Sequence, residues 1–151
     1  MSAAAQPPAL PVTFRPTRTR VILLTTGAAL VVTLTMIAVL LENLSPGQQA
    51  SFIGTGLLFF AFLVLFSRPK VVADEAGVTV VNLVTTRRLA WAEVLRVNLR
   101  PGDAWVYLDL ADGTSLPAMG IQVGVAKARA IDDARALRTL AEHHSSGGGT
   151  S

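Results

Sequence analysis

The sequence predicts a two-helix membrane hairpin followed by a small antiparallel β domain that a C-terminal helix closes. Three features carry that expectation. Two long uncharged apolar runs, Val21 to Leu41 and Ala50 to Ser67, stand close together near the N-terminus. From Arg68 the pattern breaks into short β-branched runs separated by turn residues. The last part, Val125 to His144, is dominated by Ala, Leu and Arg, all strong helix formers.

The first run holds neither charge nor proline; as a helix its 21 residues reach about 31 Å, against a hydrocarbon core of about 30 Å. The second has 18 residues, or about 27 Å, near the lower limit for spanning. Only Glu42 to Gln49 separates them, so they are expected to form a hairpin within residues 20–67. Residues 1–19, rich in Pro7, Pro8, Pro11 and Pro16, lack apolar periodicity and are expected to be a disordered tail. The first run is too long for the core of a cleavable secretory signal, so it is expected to remain in the chain.

Charge sets the expected orientation. Arg15, Arg18 and Arg20 precede the first run and Arg68 and Lys70 follow the second, while the link carries only Glu42. By the positive-inside rule both termini lie in the cytoplasm and the link outside, giving a multi-pass inner-membrane protein. Gly27-Ala28-Ala29 and Gly54-Thr55-Gly56 supply small residues that let two helices approach. Thr25, Thr26, Thr33 and Thr35 can return their hydroxyls to helix carbonyls. With no ionisable residue inside either run, a conduction pathway is disfavoured. Asn43-Leu44-Ser45 matches a glycosylation acceptor but sits in a link too short to expose it.

Beyond Arg68, strands are expected at Val71 to Ala73, Val78 to Leu83, Arg87 to Trp91, Val94 to Leu99 and Ala104 to Leu110, and a last one begins at Thr114-Ser115-Leu116, its end confined by Pro117 to an edge or exit. Asp74 to Gly77, Arg100 to Asp103 and Asp112-Gly113 read as turns. In the final helix Ala130, Ala134, Leu137 and Ala141 share a face, with Ile131 and Leu140 at its margins. Residues 68–144 thus form the domain, and 145–151 (SSGGGTS) read as a flexible end.

Composition excludes much chemistry. Of 151 residues 51% are hydrophobic and only 15% charged, against about 25% charged in ordinary soluble proteins. The formal charge of +3 is spread in pairs without interleaved aromatics, so nucleic acid is not an expected partner. No cysteine is present, which removes disulfides, thiolate metal sites and thiol nucleophiles. His143 and His144 lack further ligands at metal spacing, and no carboxylates pair for acid–base work. No catalytic residue, metal or cofactor is therefore expected, and the chain reads as no enzyme. Trp91, Trp105 and Tyr107 sit at strand positions as core or rim residues.

Certain blocks then carry a resemblance. Arg68-Pro69, Asp74-Glu75-x-Gly77-Val78, Arg88-Leu89-Ala90-Trp91-x-Glu93-Val94 and Asp112-Gly113-Thr114 stand in order before the final helix. In these the chain resembles bacterial pleckstrin-homology-like (PH-like) domain proteins, most closely the actinobacterial low molecular weight protein antigen 6 group, over residues 20 to about 144. The resemblance implies two membrane spans before a PH-like β-barrel or half-barrel capped by its helix, and no reaction or ligand.

The expected function is a membrane-anchored, non-enzymatic binding or scaffolding module facing the cytoplasm, partnered by the bilayer and by a protein. The alternatives are a small accessory subunit of a larger membrane complex and an enzyme with an unrecognised site. Arg87, Arg88, Arg96 and Arg100, close in sequence to the membrane exit, are the candidate contacts to anionic headgroups.

Overall fold

The computed structural model describes residues 7–147. The chain divides into two compact units, Thr17–Arg68 and a β unit made from the segments on either side of it.

The first unit is a pair of helices, α1 (Thr17–Leu40) and α2 (Pro46–Phe66), each long and apolar enough to cross a membrane. Both extend a few residues N-terminal to the uncharged runs. For α2 the reason is local. Ser45 is its N-cap and Pro46 its first residue; the Ser45 hydroxyl accepts from the Gln48 N–H at 3.3 Å while the Gln48 side-chain Oε1 accepts from the Ser45 N–H at 2.9 Å. The Ser45 hydroxyl of the Asn43-Leu44-Ser45 pattern is thus spent on starting a helix.

Small residues set the contact between α1 and α2. A Cβ placed on Gly27 would stand 2.7 Å from the Phe60 ring, and one on Gly56 3.3 Å from Leu34 and 3.4 Å from the Val31 Cα. Gly54 faces open space, so only the second glycine of Gly54-Thr55-Gly56 serves packing. Thr25 and Thr33 donate to the carbonyls of Val21 and Ala29 at 2.7 and 2.8 Å. Large apolar side chains, among them Val32, Leu58, Phe59 and Phe62, remain more than half exposed around the pair.

Among the described residues the β unit contains seven strands. One sheet has the order β1 (Val12–Phe14), β2 (Lys70–Ala73), β3 (Gly77–Val81), β4 (Thr86–Ala90), with every neighbour antiparallel. A turn of 3₁₀ helix, Trp91–Glu93, leads into the second antiparallel sheet, β5 (Val94–Asn98), β6 (Trp105–Leu110), β7 (Ser115–Gln122). Helix α3 (Lys127–Gly147) packs on β5 and β7.

The strand β1 corrects the expectation of a disordered tail over residues 1–19. Val12, Thr13 and Phe14 pair with Ala73, Val72 and Val71, and α1 already begins at Thr17. The physical reason is that β2 offers an unpaired edge and the core offers a slot: Phe14 is only 5% exposed. Met1 to Gln6 lie outside the described residues, as do the last four residues of the stretch expected to be a flexible end; Ser145, Ser146 and Gly147 continue α3.

Of the two places expected for Pro117, an edge or an exit, it takes the edge, and its strand continues past it. It pairs with Tyr107 inside β7, an edge strand of its sheet, where a missing N–H costs no ladder bond. β7 also crosses β2 closely enough that a Cβ on Gly120 would lie 2.5 Å from the Lys70 backbone. Asn82, 7% exposed, clamps the sheets: its amide donates to the Pro117 carbonyl at 2.8 Å and its oxygen accepts from the Met119 N–H at 3.1 Å. The core combines Val71, Val80, Leu89, Val97, Leu108 and Ile121 with α3. On α3, Ala130, Ala134, Leu137, Leu140 and Ala141 are buried, whereas Ile131 stays 39% exposed.

Candidate functional site

Most residues of the sequence motifs hold the fold. Asp74 Oδ1 accepts from the Ala76 and Gly77 N–H groups, both at 2.9 Å, closing the β2–β3 turn. The Trp91 indole donates to the Asp74 carbonyl at 2.9 Å, tying the corner between sheets to that turn. Glu93 accepts from the Ala90 N–H at 2.7 Å and so starts the 3₁₀ turn. Asp112 accepts from the Thr114 N–H and hydroxyl at 2.9 and 2.6 Å, while Gly113 supplies the positive φ of 87°. These bonds, the Thr114 hydroxyl's first and then its N–H, hold the Asp112 carboxyl below its ordinary value, Arg87 adding to the effect. Asp103 accepts from the Arg100 N–H at 2.9 Å.

The four candidate arginines are not brought together. Arg88 turns to Asp74, 3.2 Å away at the β2–β3 end of its sheet. Arg87, next along β4, lies 3.9 Å from Asp112 of the β6–β7 turn. Arg96 stands on β5 in register with Asp109, which already accepts from Asn98 at 2.5 Å and Ser115 at 2.7 Å. Arg100 begins the β5–β6 turn. Adjacent strand positions point to opposite faces, so closeness in sequence does not make a patch. Of the residues expected to set topology, Arg15 follows β1, Arg18 and Arg20 lie in the first turns of α1, Arg68 follows α2 and Lys70 opens β2.

The aromatic residues divide. Trp91 is buried at 5% exposure with the His144 ring stacked on it, centroids 4.7 Å apart and planes 14° off parallel. His144 Nδ1 lies 2.8 Å from the Leu140 carbonyl of its own helix, and its stack on Trp91 ties the end of α3 to the domain. Trp105 and Tyr107 are half-buried. Trp105 Nε1 is enclosed with no partner among the described residues. No three His, Cys, Asp or Glu gather to hold a metal among the described residues.

One cleft has the size and lining of a binding site. It measures about 450 Å³ and lies between the β5–β6 turn and the start of α3. Arg100 and Lys127 line it above apolar walls that include Leu99, Val123 and Ile131. Neither cation makes an ion pair among the described residues. Sequence reasoning named Arg100 but missed Lys127 as its neighbour. The signal available was Ile131, an apolar residue that the buried face of α3 does not use.

Comparison with known proteins agrees with this fold. Residues 68–140 match the family described as bacterial PH domain. Uncharacterized proteins of Mycobacterium bovis and Mycobacterium tuberculosis are 36% identical over 93 residues, which cover 62% of this chain and 60% of theirs. The chain therefore aligns with less than two thirds of the length of these relatives. No solved structure gives a significant match.

Proposed function

Because residues 68–140 match the family described as bacterial PH domain, we propose that this chain is a membrane-anchored, non-enzymatic binding or scaffolding module whose domain faces the cytoplasm. The observation that carries the reading is the register of β1 on β2. Phe14 sits opposite Val71, so the chain leaves the sheet into α1 and returns from α2 at neighbouring points. An apolar helical pair whose two ends are held by one strand pair enters and leaves a bilayer from the same side. The positive flanks, Arg15, Arg18 and Arg20 before the pair and Arg68 and Lys70 after it, make that side the cytoplasm.

The non-enzymatic reading is supported by how the carboxylates are used. Asp74, Glu93, Asp103 and Asp112 each accept from N–H groups of their own turns, and such acids are committed to backbone geometry. The bilayer is one partner and a protein docked on the domain the other. Headgroup contact by Arg87, Arg88, Arg96 and Arg100 acting as one patch is not favoured by their dispersal.

Alkaline carbonate extraction of membranes, followed by crosslinking through the domain, tests the proposal. The full chain is expected to stay in the membrane pellet and to crosslink to a discrete protein. Release into the supernatant contradicts the anchor, and turnover of a substrate by the purified chain contradicts the non-enzymatic role. Retention of α1 and α2 inside one larger assembly would instead identify an accessory subunit.

A further inference from the structure

We propose that the cleft between the β5–β6 turn and the start of α3 binds a small anionic amphiphile, a carboxylate or phosphate head on a short alkyl chain. Its volume of about 450 Å³ falls among small-molecule sites, which span roughly 300–1,000 Å³ with mostly apolar walls and few polar groups. Leu99, Pro101, Ala104, Val123 and Ile131 provide such walls. Ile131 is telling, because Ala130, Ala134 and Leu137 on α3 are buried while this large apolar side chain stays 39% exposed beside the cleft.

The head is specified by charge. Arg100 reaches the cleft from the turn and Lys127 from the helix. The one acid in the lining, Asp103, is engaged by the Arg100 N–H at 2.9 Å, leaving two cations against one committed carboxylate. The residue before α3 is Ala126, whose side chain cannot cap the helix, so the first N–H groups add partial positive charge to the same end.

An extended peptide fits less well. It needs free backbone groups to pair with, and here the Asp103 N–H donates to the Arg100 carbonyl and the Val123 N–H to the Ala104 carbonyl, both at 3.0 Å. An alkyl chain asks only for the apolar walls.

The test uses the full chain in phosphatidylcholine nanodiscs, titrated with octanoate, octyl phosphate, octanol and inorganic phosphate, with empty nanodiscs as reference. Saturable binding is expected for both octyl anions, and at least about tenfold weaker binding for octanol and for inorganic phosphate. R100Q and K127Q, both exposed positions, are each expected to weaken binding by about tenfold. R135Q, on the same helix but paired with Asp132 and outside the cleft, should leave it unchanged. Binding of octyl phosphate without octanoate also supports the site and assigns the head as phosphate. The proposal is overturned by the absence of saturable binding, by equal binding of octanol or inorganic phosphate, or by R135Q weakening binding as much as K127Q.

Discussion

Phe14 lies opposite Val71 across an antiparallel strand pair, although the whole helical pair, α1 and α2, comes between them in sequence. Both side chains are in the core, at 5% and 0% exposure. The β unit is therefore assembled from two pieces of chain, and the apolar helices are an insertion between neighbouring strands rather than an appendage at one end. That arrangement puts two helices, each long and apolar enough to cross a membrane, between β1 and β2.

The contribution of the first piece is measurable. Phe14→Ala removes a buried ring from a core that cannot fully collapse around the gap, and should cost the β unit about 3–5 kcal/mol. Trp91 and Trp105, the chain's two tryptophans, both belong to the β unit, so their fluorescence reports its denaturant midpoint without interference from the helices. An unchanged midpoint would mean that β1 is dispensable.

Crossing of β7 over β2 requires a bare backbone at Gly120. Gly120→Ala places a methyl group 2.5 Å from Lys70 main-chain atoms, which neither strand can vacate easily. The expected loss is about 1–3 kcal/mol. Gly124→Ala, which meets nothing within 4 Å, should stay within about 0.5 kcal/mol of the parent. Equal effects of the two substitutions in a thermal melt would refute the close crossing.

Asp133 gives a pH signature. Burial on α3 pushes its carboxyl up from its ordinary value, Asp132 adds to this, and Arg129, 3.9 Å away, opposes it. The folded state then holds this proton more tightly than the unfolded one. The contribution of Asp133 to stability is accordingly greatest below the ordinary value of 3.8, declines as pH rises toward the raised one, and levels off above it. Asp133→Asn should flatten that decline while leaving the neutral-pH stability equal or higher, as read from melting temperatures across the acidic range. A variant that is markedly less stable at neutral pH would show that the Arg129 pair outweighs the burial.

Much of this was legible in the chain, for identifiable reasons. The helices announce themselves because Val21 to Leu41 and Ala50 to Ser67 carry no charge, a signal that needs no partner to be read. The turns at Asp74 to Gly77 and Asp112-Gly113 are local chemistry, and each is built by its own aspartate. Strand β1 was hidden because three residues among prolines have no period, and their partner β2 lies beyond the helices. Pro117 pointed to an edge or an exit, and only the pairing of distant strands shows that it is the edge.

The candidate site was less legible. Four arginines near one another in sequence were separated by pleat and turn, since Arg87 and Arg88 face acids on different loops. Arg100 and Lys127, far apart in sequence, meet at one cleft because the β5–β6 turn and the start of α3 lie side by side there. Long-range placement of exposed cations leaves no pattern in the local sequence.

The central claim, a domain split around a membrane hairpin with both flanks on the cytoplasmic side, is tested most directly by cysteine accessibility. The chain has no cysteine of its own, so single replacements at Ser45, between the helices, and at Ser146, near the end of α3, report cleanly. In intact cells an impermeant thiol reagent should label S45C and leave S146C unlabelled until the membrane is opened. Labelling of S146C with protection of S45C would contradict the account.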